Sequence, residues 1–289
     1  FWLKRQAQRG GGGWTREGAA ASMAGGGSSV DPVQDAQQIL FFSIVGGLSP
    51  LIPVPLLDSV FKKVVRRLMI MAQLKFGGLN PTIQQVNSLA REAPMSPLQL
   101  LLKALYYVFC CCLLEFVLKK ICFMFTIKDC VENTSELLHD GWLLAYAVKS
   151  KKVNENLLAD KTAVWRVAEA TIQTCDEVDT SPLHQAVKKV LGANKGDLQT
   201  AANMVLSSLR GQGIGGGFGR RPSQESVQDA LDNVEQEQRQ ELSGLTRKLA
   251  DVLRDHQPYL RNLETVFDQK LNDLQSKNVM PPQCPLLAM

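Results

Sequence analysis

The sequence predicts an all-α chain: a multi-helix bundle followed by a C-terminal heptad region, read as coiled coil or helical hairpin. Three observations carry this. Asp31-Pro32, Asn80-Pro81, Ser96-Pro97 and Ser181-Pro182 each place a capping oxygen just before a proline in the first helical turn. There the missing N–H costs nothing and φ is already set. Apolar residues recur at i, i+3, i+4 and i+7, as in Leu57, Val60, Phe61, Val64, Val65, Leu68 and Ala72. No alternating apolar–polar run marks a strand.

Taken in order, residues 1–30 are expected to be a disordered leader. Lys4, Arg5, Arg9 and Arg16 against Glu17 contribute +4 − 1 = +3 of the formal net charge of +4. The remainder carries only +1, so the overall basicity is no signal for nucleic acid. The leader has no apolar core and does not read as a signal peptide. A helical body is expected over 31–210, with helices near 32–47, 56–76, 81–92, 97–127, 134–151, 159–176, 182–191 and 197–210.

Between the first two helices, residues 39–57 carry no charge, and Gly46, Gly47, Pro50, Pro53 and Pro55 forbid a continuous helix. The next helix, with Asp58 or Ser59 expected at its cap, sets Lys62, Lys63, Arg66 and Arg67 as a basic ridge beside its apolar face. An apolar wedge at Pro50, Pro53 and Pro55 joined to a basic amphipathic helix suits an anionic membrane surface. The four cations are the expected lipid-headgroup contacts. Gly77-Gly78 closes the helix. In 98–118, Gln99, Lys103 and Glu115 leave only eleven uninterrupted apolar residues, 104–114. That is about 16 Å against a hydrocarbon thickness of about 30 Å, so a core helix or interfacial contact is expected over a span.

Residues 211–222 read as a glycine-rich linker. The linker follows no expected strand, which excludes a phosphate-cradling loop. Beyond it, over 223–278, Val227, Leu231, Val234, Gln238, Leu242, Leu245, Leu249, Val252 and His256 step by 4, 3, 4, 4, 3, 4, 3 and 4. This is a heptad with one stutter. Pro258 interrupts, then Leu260, Leu263, Phe267, Leu271 and Leu274 resume. Val234, Leu242, Leu245, Leu249 and Val252 are the expected association seam, for self or a protein partner. Residues 279–289 are expected to be a loose tail.

No chemistry stands out. The three histidines, His139, His184 and His256, have no metal-ligand spacing, and His139-Asp140 lacks a recognisable nucleophile. Seven cysteines, three of them consecutive at Cys110, Cys111 and Cys112, include no Cys-x-x-Cys pair and suit a reducing compartment. No catalytic, cofactor or metal site is expected.

Residues 45–78, with glycines, a proline-broken apolar wedge and a basic amphipathic helix ending in Phe76-Gly77-Gly78, resemble the opening of EcsC-type proteins. The resemblance implies a membrane-associated helical protein without an established reaction, and does not reach the heptad region. The expectation is a non-enzymatic protein on the cytoplasmic face or an organelle membrane, with a C-terminal association module. The alternatives are a subunit of a larger membrane complex, or a soluble helical lipid-binding protein or enzyme whose residues 39–57 and 98–127 line a pocket.

Overall fold

In a computed structural model, the chain is described over residues 32–51, 57–90, 119–211 and 242–280. The leader, Pro53, Pro55, Ser96-Pro97, the apolar stretch 98–118, the linker beyond Gly211, Val234 and residues 281–289 lie outside the described residues. The described elements are α1 (Pro32–Gly47), a 3-10 turn (Ser49–Leu51), α2 (Leu57–Phe76), α3 (Ile83–Ala90), α4 (Lys119–Lys149), α5 (Glu155–Ala159), α6 (Lys161–Glu177), α7 (Ser181–Ala193) and α8 (Lys195–Gly211). They are followed by α9 over 242–255 and α10 (Gln257–Ser276). The protein is all-α, as its sequence predicts. No described helix is long and apolar enough to cross a membrane.

The axis is α4, 31 residues or about 46 Å long. Sequence reading breaks this helix between 127 and 134, ending one helix and beginning another there. The structure corrects that. Thr134 and Ser135 are buried in mid-helix, and Asn133 bonds sideways to Lys62 and Ser49. Buried Cys130, Val131, Leu137, Leu138, Leu143 and Leu144 leave α4 covered on more than one side, so no single apolar stripe marks its course.

The tightest neighbour of α4 is α1, which runs antiparallel to it. A Cβ on Gly46 would strike Leu137, and one on Gly47 would strike Thr134 and approach the Cys130 carbonyl at 3.1 Å. From the other side, a Cβ on Gly141 would lie 2.8 Å from Ile39 and 2.9 Å from the Met69 sulfur. These glycines let three helices meet backbone to side chain. Residues 39–49 are buried, save half-buried Phe41. The charge-free stretch is therefore a core helix over its described part.

Two apolar clusters flank α4. One joins α1, the first half of α2, α7, α8 and α9; the other joins the end of α2, α3, α5, α6 and α10. The described residues from Pro32 onward belong to one compact unit. Thus 242–280 shares a core with the helices before the linker.

Local signals sit near, rather than on, the expected residues. α3 starts at Ile83, not after Asn80. Thr82 accepts from the Gln85 amide at 3.4 Å while Gln85 accepts from the Thr82 amide at 2.7 Å, a reciprocal capping box. Ahead of α7, Asp179 rather than Ser181 supplies the oxygen, accepting from the Ser181 amide at 3.0 Å. α2 opens at Leu57, two residues earlier than an Asp58 cap and three earlier than a Ser59 cap requires. It closes as expected: Gly78 has φ +79°, and the Leu79 amide donates to Leu74 at 2.9 Å.

Gly141→Ala should lower stability by about 1–3 kcal/mol, because wholly buried Ile39 cannot withdraw. Gly192→Ala, whose Cβ meets nothing within 4 Å, should be neutral or stabilising by up to about 1 kcal/mol. Denaturant unfolding of the two variants checks this opposition of sign.

Candidate functional site

The basic ridge lies at the start of α2, which runs parallel to α4. Cations at 62 and 66 are one helical turn apart, and Asn133, Glu136 and Asp140 recur at matching intervals on α4. Lys62 Nζ donates to Asn133 Oδ1 at 2.7 Å and to Glu136 Oε2 at 2.5 Å. Arg66 bonds Glu136 Oε1 at 3.2 Å and also pairs with Asp140. Two of the four expected headgroup contacts are therefore engaged within the chain. Lys63, half-buried, has no ion-pair partner among the described residues; Arg67 is likewise half-buried.

The apolar face of the same helix is occupied. Phe61, Val64, Val65 and Leu68 are buried in the core, and Ala72 packs against it. Any membrane contact here must be electrostatic, since these side chains have no area left for lipid. Pro50, the described member of the wedge, is half-buried within the 3-10 turn.

The expected association seam is also placed inward. Leu242, Leu245 and Leu249 are buried in the cluster that contains α1 and α7, and half-buried Val252 packs against it. Lys248 bonds Asn194, which lays α9 antiparallel along α7. The described seam thus faces the protein's own body. The physical reason is that a leucine stripe specifies burial without specifying a partner.

Sequence reasoning missed a polar ladder joining α4 to α10. His139 Nε2 lies 2.7 Å from Tyr259 Oη, Trp142 Nε1 donates to Glu264 at 3.0 Å, and Tyr146 Oη donates to Asp268 at 2.8 Å. Lys152 completes the last rung by pairing with Asp268, its ammonium 4.7 Å from the Tyr146 ring centroid. The rising numbers on both sides make these helices parallel. Against α6, by contrast, α10 is antiparallel: Arg166 reaches Asn278 and Val279, and Lys270 pairs with Glu177. The only trace in sequence was the polar-tipped aromatics at 139, 142 and 146; their partners lie some 120 residues away.

The ladder tunes protons. His139 Nδ1 faces the Ser135 carbonyl at 2.7 Å and must carry the hydrogen, so Nε2 accepts from the Tyr259 hydroxyl. Burial holds the His139 pKa below its ordinary value, against the opposing pull of the Ser135 carbonyl and Asp140. Burial likewise raises Tyr259, with the Cys175 and Asp179 charges assisting. Burial disfavours the Lys152 charge, but its bonds to Asp268 and Tyr146 prevail and raise its pKa. The thiols of Cys130 and Cys175 are pushed up to about 12, chiefly by burial, and stay protonated at neutral pH. His139 and Asp140 do not act together: Asp140 turns to Arg66, and His139 to Tyr259. Among the described residues no group of three metal-ligating side chains converges.

Comparison with protein-family models, with curated proteins and with solved structures finds no match for this chain.

Tyr259→Phe should cost about 1–3 kcal/mol, because it leaves a buried imidazole nitrogen unpaired. The folded pKa of His139 lies below its unfolded value of about 6.5. Its share of stability is thus full above about pH 6.5 and is lost as pH falls from there toward the folded value. Urea unfolding of wild type at pH 7.5 and 5.5 should show the loss, and His139→Gln should flatten it.

Proposed function

We propose that the protein is a non-enzymatic helical protein that lies peripherally on an anionic membrane surface through the start of α2. The observation that carries this is half-buried Lys63, which has no ion-pair partner among the described residues in a ridge where Lys62 and Arg66 are paired within the chain. The likeness of residues 45–78 to EcsC-type proteins supports the same location. Cys130 and Cys175, with thiol pKa values raised chiefly by burial, are poor nucleophiles at neutral pH. With the apolar face of α2 engaged in the core, attachment is by charge and is salt-sensitive. A protein partner meeting α9 through its leucine seam first requires that α9 leave its own core.

The ion pairs divide the ridge by role. Lys62→Gln loses its bonds to Glu136 and Asn133 and should cost up to about 1 kcal/mol of stability. Lys63→Gln should leave stability unchanged and weaken binding to phosphatidylserine-containing vesicles by about 1 kcal/mol, roughly fivefold. Vesicle co-sedimentation and thermal melts of both variants separate the two. Equal binding to neutral and anionic vesicles would remove the membrane reading.

A further inference from the structure

The three histidines of the chain, far apart in sequence, gather around one joint. His139 on α4 bonds Tyr259 near the start of α10. His184 on α7 lies close enough that its charge would oppose one on His139. His256 is the junction residue between α9 and α10, and it lines a cleft with Ser181 and Gln185 of α7. All the side chains whose unperturbed titration falls nearest pH 5–8, apart from thiols, are thus placed where α9 becomes α10.

We propose that this junction is an acid-opened joint: when its histidines take up protons, it parts from α4 and α7, and the apolar face of α9 at Leu245, Leu249 and Leu253 is exposed. The proposal holds whether or not α2 meets a membrane.

The neutral imidazole of His139 is the form that fits. Its Nδ1–H serves the Ser135 carbonyl and its Nε2 accepts from Tyr259. A protonated ring has two donors and no acceptor, so the bond to Tyr259 must reverse, the hydroxyl turning to accept from Nε2–H, and the cost of protonation falls on the buried charge itself. The new charge is buried, its neighbour Asp140 is already paired with Arg66, and a protonated His184 repels it. Near Tyr259, Cys175 stays neutral and Asp179 is occupied by the amide of Ser181. His256 differs: it is half-buried beside an open cleft that it shares with Asp179, Lys189 and Asp255. The opening force therefore comes from the buried charge on His139, with a charge on His184 opposing it. The backbone is prepared for it, because Pro258 has no N–H to continue the helical bonding and His256 has left helical geometry, at φ −102° and ψ 21°.

Hydrogen exchange of the full chain at pH 7.5 and 5.5, corrected for intrinsic rates, tests the joint. His139, protonated only on opening, makes opening about tenfold more favourable per pH unit in its titration range. Exchange over 242–260 should rise by at least about tenfold more than exchange in α1 and the middle of α4. His139→Gln and His184→Gln should each shrink that excess, while His256→Gln should preserve it. A uniform rise, no rise, or an excess undiminished in both His139→Gln and His184→Gln would overturn the proposal. If His139→Gln does not fold, His184→Gln decides alone, and an undiminished excess there overturns it.

Discussion

The close approach of α1 to α4 sets the geometry of everything else. Gly46 and Gly47 on one helix and Gly141 on the other remove the atoms that would hold them apart. The Met69 sulfur reaches the same contact, so α2 takes its depth from it. Once α2 is seated, Lys62 and Arg66 fall opposite Glu136 and Asp140. Helix register here follows from steric fit in the core, and the surface ion pairs are aligned by it. The energies agree with that order: core contacts are worth several times a half-exposed ion pair.

α10 shows a division of labour between polar and apolar contacts. Leu263, Phe267, Leu271 and Leu274 bury it in the second cluster. Toward α4 and the turn after it, α10 offers Tyr259 and Glu264, each matched by one partner, and Asp268, matched by Tyr146 and Lys152. Apolar packing tolerates sliding; a row of spaced hydrogen bonds does not. Each rung that slipped by a turn would leave a poorly solvated polar group without its partner.

Much of the fold was legible in the sequence, because helix periodicity and proline positions are local. α1, α2, α6, α7 and α8 begin and end within a few residues of where periodicity places them. α4 was read as two helices because polar Asn133, Thr134 and Ser135 interrupt its apolar residues, and only neighbouring helices reveal that they are enclosed or bonded sideways. The Leu242, Leu245 and Leu249 stripe showed that one face must be covered, while the identity of the cover is long-range information. The ridge cations were legible as cations; that two of them answer carboxylates about 70 residues away was not. The gathering of His139, His184 and His256 belongs to the same class, since each looks isolated until the chain has folded.

The depth of α1 has a consequence for synthesis. The α4 residues that cover the glycine face of this helix, beginning near Cys130 and Thr134, leave the ribosome almost ninety positions after it. At roughly 5–20 residues per second, that is a delay of about 4–18 s. Throughout it, Ile39, Leu40, Ile44, Val45 and Leu48 have no α4 to pack against. The nascent chain thus presents a strongly apolar segment long before it can be sequestered, as a substrate for chaperones that bind such segments during translation.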